Sequence, residues 1–512
     1  MNNKVVFIII IIFSIFIINN RSNNYIEIDN NSLKLTIKAI EQFKLINQET
    51  KELYNIIDHI KLYKSLNPFR KANLEIVVRE IDNKDEFIFF KIECLKYCHS
   101  LSFNLLFDIG ENYTVKDLTP YEIVKDYSAV TGYDETTLPS YYIESTNNSL
   151  ILSKLYYSNN LVKKYNKGVS TLKELTAEQT ISIKDKSGVI NIPLNISKGA
   201  IEGWFLLSKD KLFSTDNDIE NYAHFLNTNQ TVSPWLTANG QYVKIPYSIE
   251  PYTKEGYGLN PGANHGSSEL DEYTRTNNRL YYDLLLNKIK GLYNITRHND
   301  GVWYTAYTST YVYTPYGINA PYIDTRHNEG IANFLYAAGL KLNNKELLED
   351  SLNYADYVVN EVKSGNTILI TNDLYLIPDY FKDGNSVKTH ASINHQLGTA
   401  NYLLRAYQRT NNKDYYDVGM SILKALSYQG NKWIKPDGDL WYRMNPDYSF
   451  EGIDYKVLTL EDLLIVQETL EVIGEPKIEM FDNFIITKYN YLTSINYKIP
   501  KEIINKFKEW QL

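Results

Sequence analysis

Cysteine is almost missing: Cys94 and Cys98 are the only two in 512 residues. That excludes a disulfide-dense scaffold and a zinc module built from several cysteine clusters. The pair lies in "ECLKYCH", where a metal site would gain only His99, with no second ligand cluster. In an oxidising compartment the two thiols would pair with each other. Basic runs are missing as well. Lys and Arg number 53 against 61 Asp and Glu, a net charge of −8, and no basic stripe is visible. This argues against a nucleic-acid partner. No repeat of fixed length is present, which disfavours a solenoid. The longest apolar run, Val5 to Ile18, falls short of the ~20 residues that span a bilayer.

That run has the length of a signal-peptide core and follows Lys4. No small-residue cleavage site comes after it, so residues 1–20 fit either a cleaved signal peptide or a signal anchor that holds the chain to a membrane. Both readings place the rest in a secretory lumen or outside the cell. Asn30, Asn112, Asn147, Asn195, Asn229 and Asn294 each begin an Asn-x-Ser/Thr triplet, as a glycosylated surface would. Tyrosine is the most conspicuous excess, at 44 residues, and the 44% hydrophobic content is enough for a large core.

The chain reads as a multidomain α+β protein. Residues 21–70 read as helical, with Leu33, Ile37 and Ile40, then Leu53, Ile57 and Ile60, at helical spacing. Residues 71–215 read as a β-rich domain, from "LEIVVREI-DNKD-EFIFFKI", "SFNLLFDI", "TISIKD-KSG-VINIPLNI" and "EGWFLLS". From residue 216 to 512 the period turns helical. Expected helices lie near 218–228, 268–290, 324–341, 344–362, 391–410, 412–427, 457–472 and 500–511. Helical hairpins joined by long aromatic loops predict an α/α barrel (toroid) of about four hairpins, with a site at its mouth.

Three helix starts share one design. In "APYIDTRHNEGIANFLYAAG" the apolar face runs Ile331, Phe334, Leu335, Ala338. Stepping back by three and four reaches Asn328, His327 and Asp324, so these continue the core-facing stripe. An N-cap explains Asp324. Arg326 and His327 oppose the helix dipole there, and Arg326 and Glu329 project to the flanks. In "KTHASINHQLGTANYLLRAY" the same step from Ile393 reaches His390 and Thr389, with Asn394, His395 and Gln396 in the first turns. In "DYKVLTLEDLLIVQETL" it reaches Asp454. Polar groups on a core stripe need partners. Helix N-termini converging on one mouth attract anions, and Arg326 and Arg443 would add to this. The loops "GVWYTAYTSTYVYTPYG" and "KWIKPDGDLWYRMNPDYSF" supply flat aromatic platforms. The expected ligand is an anionic sugar.

Residues 320–475 resemble the glucuronyl 5-epimerase family, which inverts carbon 5 of hexuronates in heparan-type polysaccharides. The resemblance is carried by "DYFKDGNSVKTHASINHQLGTANYLLRAY" and "GDLWYRMNPDYSFEGIDYKVLTLEDLL". It implies an N-terminal β part and a C-terminal α/α barrel of four hairpins. Asp379 and Tyr380 match the family's acidic-Tyr pair, and Asp454 and Tyr455 its Asp-Tyr. Trp441 stands where the family has Tyr, with Tyr442 next to it, and Arg443 roughly matches the family Arg. Lys456 and Thr459 replace family histidines.

The implied reaction removes the proton at carbon 5 and returns it to the other face, which requires two acid/base groups. Tyr455 and Tyr442 are the candidates, with Asp379 as base or as orienter of Tyr380. A nearby Arg or Lys would have to lower each phenol from its usual value near 10. Arg326 or Arg443 would pair with the substrate carboxylate. Asp324, His327, Asn328, Glu329, Asn394, His395 and Trp441 complete the expected binding wall. This chemistry calls for no metal or cofactor. A polysaccharide lyase would share the proton abstraction. A glycoside hydrolase would need two carboxylates ~5–10 Å apart, from among Asp324, Glu329, Asp379 and Asp454. A carbohydrate-binding protein would need only the Arg and aromatic groups. The expected partner is an anionic polysaccharide; a homodimer is left open.

Overall fold

The computed structural model describes residues 25–510, apart from 31–32, 40–41, 97, 99–100, 109–111, 124–130, 133, 147, 182, 184–188, 230–231 and 296. The signal or anchor reading of residues 1–20 and the glycosylation triplet at Asn147 lie on residues outside that description, as does His99. Among the described residues no helix is long and apolar enough to cross a membrane.

Strands come first: β1 (Tyr25–Asn30), β2 (Leu33–Ala39), β3 (Phe43–Leu53), β4 (Ile56–Ser65), β5 (Lys71–Ile81), β6 (Glu86–Lys96), β7 (Leu101–Asp108), β8 (Thr114–Asp117), β9 (Tyr141–Glu144), β10 (Ser149–Leu152), β11 (Leu155–Tyr165), β12 (Gly168–Gln179), β13 (Val189–Ile196) and β14 (Ala200–Ser208). The helical reading of residues 21–70 is therefore wrong. "FKLINQETKEL" is rich in helix formers, but it pairs along its length with β4 as an antiparallel hairpin. "LKLTIKA" alternates apolar and polar residues, a period of two that the wider helical spacing obscured. Cross-strand pairing overrides local propensity here.

β1, β2, β7 and β13 form one antiparallel sheet. A larger sheet runs β12-β11-β14-β6-β5-β4-β3, with β10, β9 and β8 branching from β14. The expected 71–96 hairpin is β5–β6. The first strand and turn of the second expected hairpin fall largely on residues outside the description, 182 and 184–188. Its second strand, β13, pairs antiparallel with β7. Leu35, Phe103, Phe107, Ile192, Ile88, Phe90 and Phe205 fill the space between the sheets. The large sheet's other face carries Val77, Phe87, Phe89 and Trp204 against the helices. Because both faces are covered, all nine residues of β14 are buried. Cys94 and Cys98 form a disulfide, which leaves no thiolate for a metal.

The helices are α1 (Asp216–Thr228), α2 (Pro261–Asn264), α3 (Ser268–Thr276), α4 (Arg279–Asn294), α5 (Thr310–Tyr316), α6 (Thr325–Lys341), α7 (Lys345–Asp350), α8 (Asn353–Lys363), α9 (Ile393–Thr410), α10 (Lys413–Gln429), α11 (Leu458–Val472), α12 (Glu479–Ser494) and α13 (Lys501–Glu509). Three departures follow from local chemistry. The expected helix at 268–290 breaks at Asn277, which takes the left-handed conformation that ends α3. The one at 344–362 breaks between α7 and α8. α12 had no sequence expectation. The architecture is α+β, a large β-rich part followed by helices. α6, α9 and α11 pack in a row, with α10 packed on α9 and on α8, and α12 on α11.

Short strands tie the starts of this row together. Tyr322–Asp324 leads into α6 and pairs with Tyr380–Phe381, placing Asp324 opposite Tyr380. Ala391–Ser392 leads into α9 and pairs with Trp441–Met444, placing Ser392 opposite Arg443. The helix starts and the loops that carry the aromatic residues are thus built as one edge.

Candidate functional site

Asp379 is the hub of that edge and is wholly buried. Its carboxylate accepts the Ser392 backbone N–H at 2.9 Å and the Ser392 hydroxyl, at the head of α9. His390 Nε2 lies 3.3 Å from Oδ2 and His395 Nδ1 lies 3.7 Å from Oδ1. Burial pushes the Asp379 carboxyl up, but the two imidazoles and Ser392 outweigh it and hold the group below the usual value. Asp379 is therefore a carboxylate and no proton donor.

His395 is nine-tenths buried. The Thr325 hydroxyl donates to Asp379 O at 3.0 Å, so it accepts from His395 Nδ1–H at 2.7 Å. The Asp379 carboxylate beside Nδ1 favours the same tautomer. Nε2 is then unprotonated and has no hydrogen-bond partner among the described residues. Burial lowers the His395 pKa from 6.5, against the pull of Asp379 and Asp324. An oriented, neutral imidazole with a free Nε2 can accept a proton.

His390 is completely buried, with Tyr311 OH 3.2 Å from Nε2 and Tyr316 OH 3.0 Å from Nδ1. The Tyr380 ring lies 5.7 Å from His390 and 6.0 Å from His395. Tyr442 lies 6.4 Å from His390 and 5.8 Å from Tyr455. Tyr442, and not Trp441, faces this cluster. The Trp441 ring packs on the helical core with Lys435 Nζ 5.7 Å away. Burial raises Tyr380, with Asp324 adding, and raises Tyr442, with Asp379 adding. Tyr455 is half-exposed at the rim. Shielding of its hydroxyl, then Asp324 and Asp454, push it up as well. Arg326 pulls Tyr455 the other way without offsetting this. These tyrosines hold their protons and can give them up only as acids or hydrogen-bond donors.

The arginines are committed. Arg326 donates to Asp462 Oδ1 at 3.0 Å and to Asn394 O at 3.1 Å, with Glu329 Oε2 at 3.4 Å. Burial and Glu329 push Asp462 up to about 7 against the pull of Arg326. Arg443 donates to Glu451 Oε1 from Nε and Nη2, and from Nη1 to Tyr311 OH at 2.6 Å. Arg326 thus braces α6 against α9 and α11, while Arg443 braces the wall that holds His390.

Asp324 is the N-cap of α6, accepting His327 N–H at 3.1 Å. His327 Nδ1 lies 3.7 Å from Asp324 Oδ2. Asn328 is spent on backbone: it accepts Trp303 N–H at 2.7 Å and donates to Trp303 O at 3.0 Å and Asp324 O at 2.9 Å. Glu329 accepts from Asn333 at 2.6 Å. Asn394 is buried, and its Oδ1 lacks a partner among the described residues. Asp454 holds the Thr459 hydroxyl at 2.7 Å and the buried Lys488 ammonium at 2.7 Å, which fixes Tyr455 beside it. Sequence reasoning missed Thr325, Ser392, Tyr311, Tyr316, Glu451 and Asp462. Asp462 was marked by a carboxylate inside the apolar stripe of α11; Tyr311 and Tyr316 were marked only as part of an aromatic loop.

No known protein family matches the chain, and no curated protein matches it. Solved structures show partial likenesses. The cellobiose 2-epimerase from Bacillus thermoamylovorans B4167 is 13% identical, covering 54% of this chain and 70% of that one, at a TM-score of 0.40. An unsaturated glucuronyl hydrolase specific for heparin is 15% identical, covering 45% and 60%, at 0.33. A D-mannose isomerase is 13% identical, covering 46% and 58%, at 0.32. The chain spans less than two thirds of the length of the last two.

Proposed function

We propose that this protein is a carbohydrate-modifying enzyme of the secretory pathway that moves a proton at a ring carbon of its sugar, an epimerase of hexuronate residues at carbon 5 in an anionic polysaccharide. One observation carries the reading: His395, with Nδ1 held by Thr325 beside Asp379, presents a free Nε2, and the phenols of the same edge, the Tyr380 ring at 6.0 Å first, keep their protons. The base and the acid are thus of different kinds. His395 Nε2 takes the proton from carbon 5, and the electron pair left behind delocalises into the adjoining carboxylate. A phenol, Tyr442 or Tyr455, returns a proton to the opposite face. Proton exchange with solvent then resets the imidazolium and the phenolate. This revises the two-tyrosine scheme of the sequence reading.

A second reading has its own observation. Arg326 and Arg443 already face carboxylates, so neither guanidinium is free to neutralise a uronate. An epimerase of neutral sugars would need no such cation. A hydrolase would need a protonated carboxyl beside the substrate; Asp379 is held ionised and cannot be that acid, which leaves the raised carboxyls of Asp454 and Asp462 for that reading. Incubation in deuterated water separates the readings. Deuterium at carbon 5 of a glucuronate polymer, without cleavage, is expected. Deuterium only in a neutral oligosaccharide would move the assignment to neutral sugars. An unsaturated end would mark a lyase, and new reducing ends without unsaturation a hydrolase. Binding without any of these would leave a carbohydrate-binding protein.

A further inference from the structure

The tip of the β11–β12 hairpin leans over the loops that lead into α5 and α6. Gly168 lies so close to Ala320 that a Cβ there would sit 1.9 Å from the Ala320 carbonyl oxygen. Thr171 N–H donates to Ala306 O at 3.2 Å, and Thr308 N–H donates to Ser170 Oγ at 2.8 Å. The Tyr165 and Tyr313 rings meet edge to face at 5.1 Å. The tip is therefore a docked wall. Between it and α5 lies a cleft of about 550 Å³, whose lining includes Lys163, Lys164, Lys167, Lys382 and Tyr316. Tyr316 is also the residue whose hydroxyl sits 3.0 Å from His390 Nδ1, so the cleft adjoins the catalytic edge.

Its charge is mostly positive: four lining lysines stand against one lining carboxylate, Asp383. Lys163 is paired with Glu250. Lys164 and Lys167 are exposed and have no carboxylate partner among the described residues. Lys382 Nζ is pinned by Asn319 O at 2.7 Å and Pro321 O at 3.1 Å. Burial and the nearby Lys167 pull Lys382 below a lysine's usual value, against Asp383. Asp383 is engaged by Tyr304 OH at 2.7 Å. Glu250 and Asp383 do not balance the four ammonium groups, and an anion relieves the remaining repulsion. The aromatic walls suit sugar rings.

Resting on the epimerase reading above, we infer that this cleft is a subsite for the anionic units that flank the reacting sugar, built jointly by the β-rich part and the helices. Its ligand is a polysaccharide segment with carboxylate or sulfate groups, held by Lys164, Lys167 and Lys382. This gives the β-rich part a direct role in substrate binding.

The test uses the full-length chain. Affinity is measured by calorimetry for three polymers: an unsulfated glucuronate polysaccharide, its sulfated counterpart and neutral dextran. It is measured in H395Q, which binds without turnover, with and without K164Q and K167Q. Both anionic polymers should bind and dextran should not; the tighter of the two tells whether carboxylate or sulfate is preferred. The double lysine variant should lose about tenfold in affinity and show a shallower dependence on salt. In the otherwise native enzyme it should raise KM for the polymer and leave kcat unchanged. Exposed hairpin lysines can be replaced without threatening the fold. Deuterium exchange at a normal rate with affinity and KM unaltered by K164Q/K167Q would overturn the subsite and spare the catalytic reading. Lysine-dependent binding with no exchange in the native chain would overturn the catalytic reading and leave the cleft standing.

Discussion

His395 and His265 make opposite uses of a depressed pKa. In His395 it keeps the base unprotonated. The acid limb of kcat/KM should therefore fall below pH 6.5, the value from which burial lowers it. The alkaline limb should lie above 10, because burial raises Tyr442. A pH–rate profile checks both limbs, and an acid limb above 6.5 would remove His395 from the role. H395Q should cost on the order of 10²- to 10⁴-fold in rate. His265 has no such task. Burial, then the His327 charge, pushes it down to about 3. The unfolded chain takes up this proton first as pH falls below 6.5. Stability from this site is thus complete above 6.5 and is lost progressively between 6.5 and about 3. Urea midpoints measured across that range should fall on acidification, and H265N should flatten the slope.

At the scale of the element, the polar residues on the inner stripes turn out to serve two ends. Asn328 clamps Trp303, and Gln396 clamps Ile377 in the same way, accepting its N–H at 2.9 Å and donating to its carbonyl at 2.7 Å. Gln467 does this for Ile478, at 3.0 Å each way. Each amide pairs with the N–H and C=O of one loop residue, as a neighbouring strand would. N328L or Q396L should leave a buried N–H and C=O unpaired and cost about 1–3 kcal/mol by denaturant unfolding. Backward stepping along the stripes found Asn328 and His390, and His395 stood out in the first turn after them, because core polar groups must have partners. It could not separate a loop clamp from a base, since that depends on what lies opposite. The loops at 303 and 377 are distant in sequence, and only the folded chain brings them there. Asp324, by contrast, was legible as an N-cap because capping is local.

Across the whole molecule, the order of strands then helices was readable from the change in hydrophobic period. The opening strands were not, because β3 is polar and earns its place only by pairing with β4. The join between the sheet and the helices includes one fully buried charge. Arg79 of β5 donates to Asp58 at 2.7 Å and 3.0 Å, to Asn287 of α4 at 2.6 Å and to Ala238 O at 2.6 Å. D58A would strand that guanidinium and should destabilise the protein by about 3–5 kcal/mol. R79M together with D58L should recover much of the loss, and calorimetric unfolding would show it.

The central claim is that an oriented histidine, and not a tyrosine, removes a sugar-ring proton at this edge. It is tested most directly by incubating the native chain and H395Q with a glucuronate polymer in deuterated water and reading carbon 5 by nuclear magnetic resonance. The account predicts deuterium at carbon 5 of an intact polymer with the native chain and none above background with H395Q. Exchange that persists at the native rate in H395Q would contradict it.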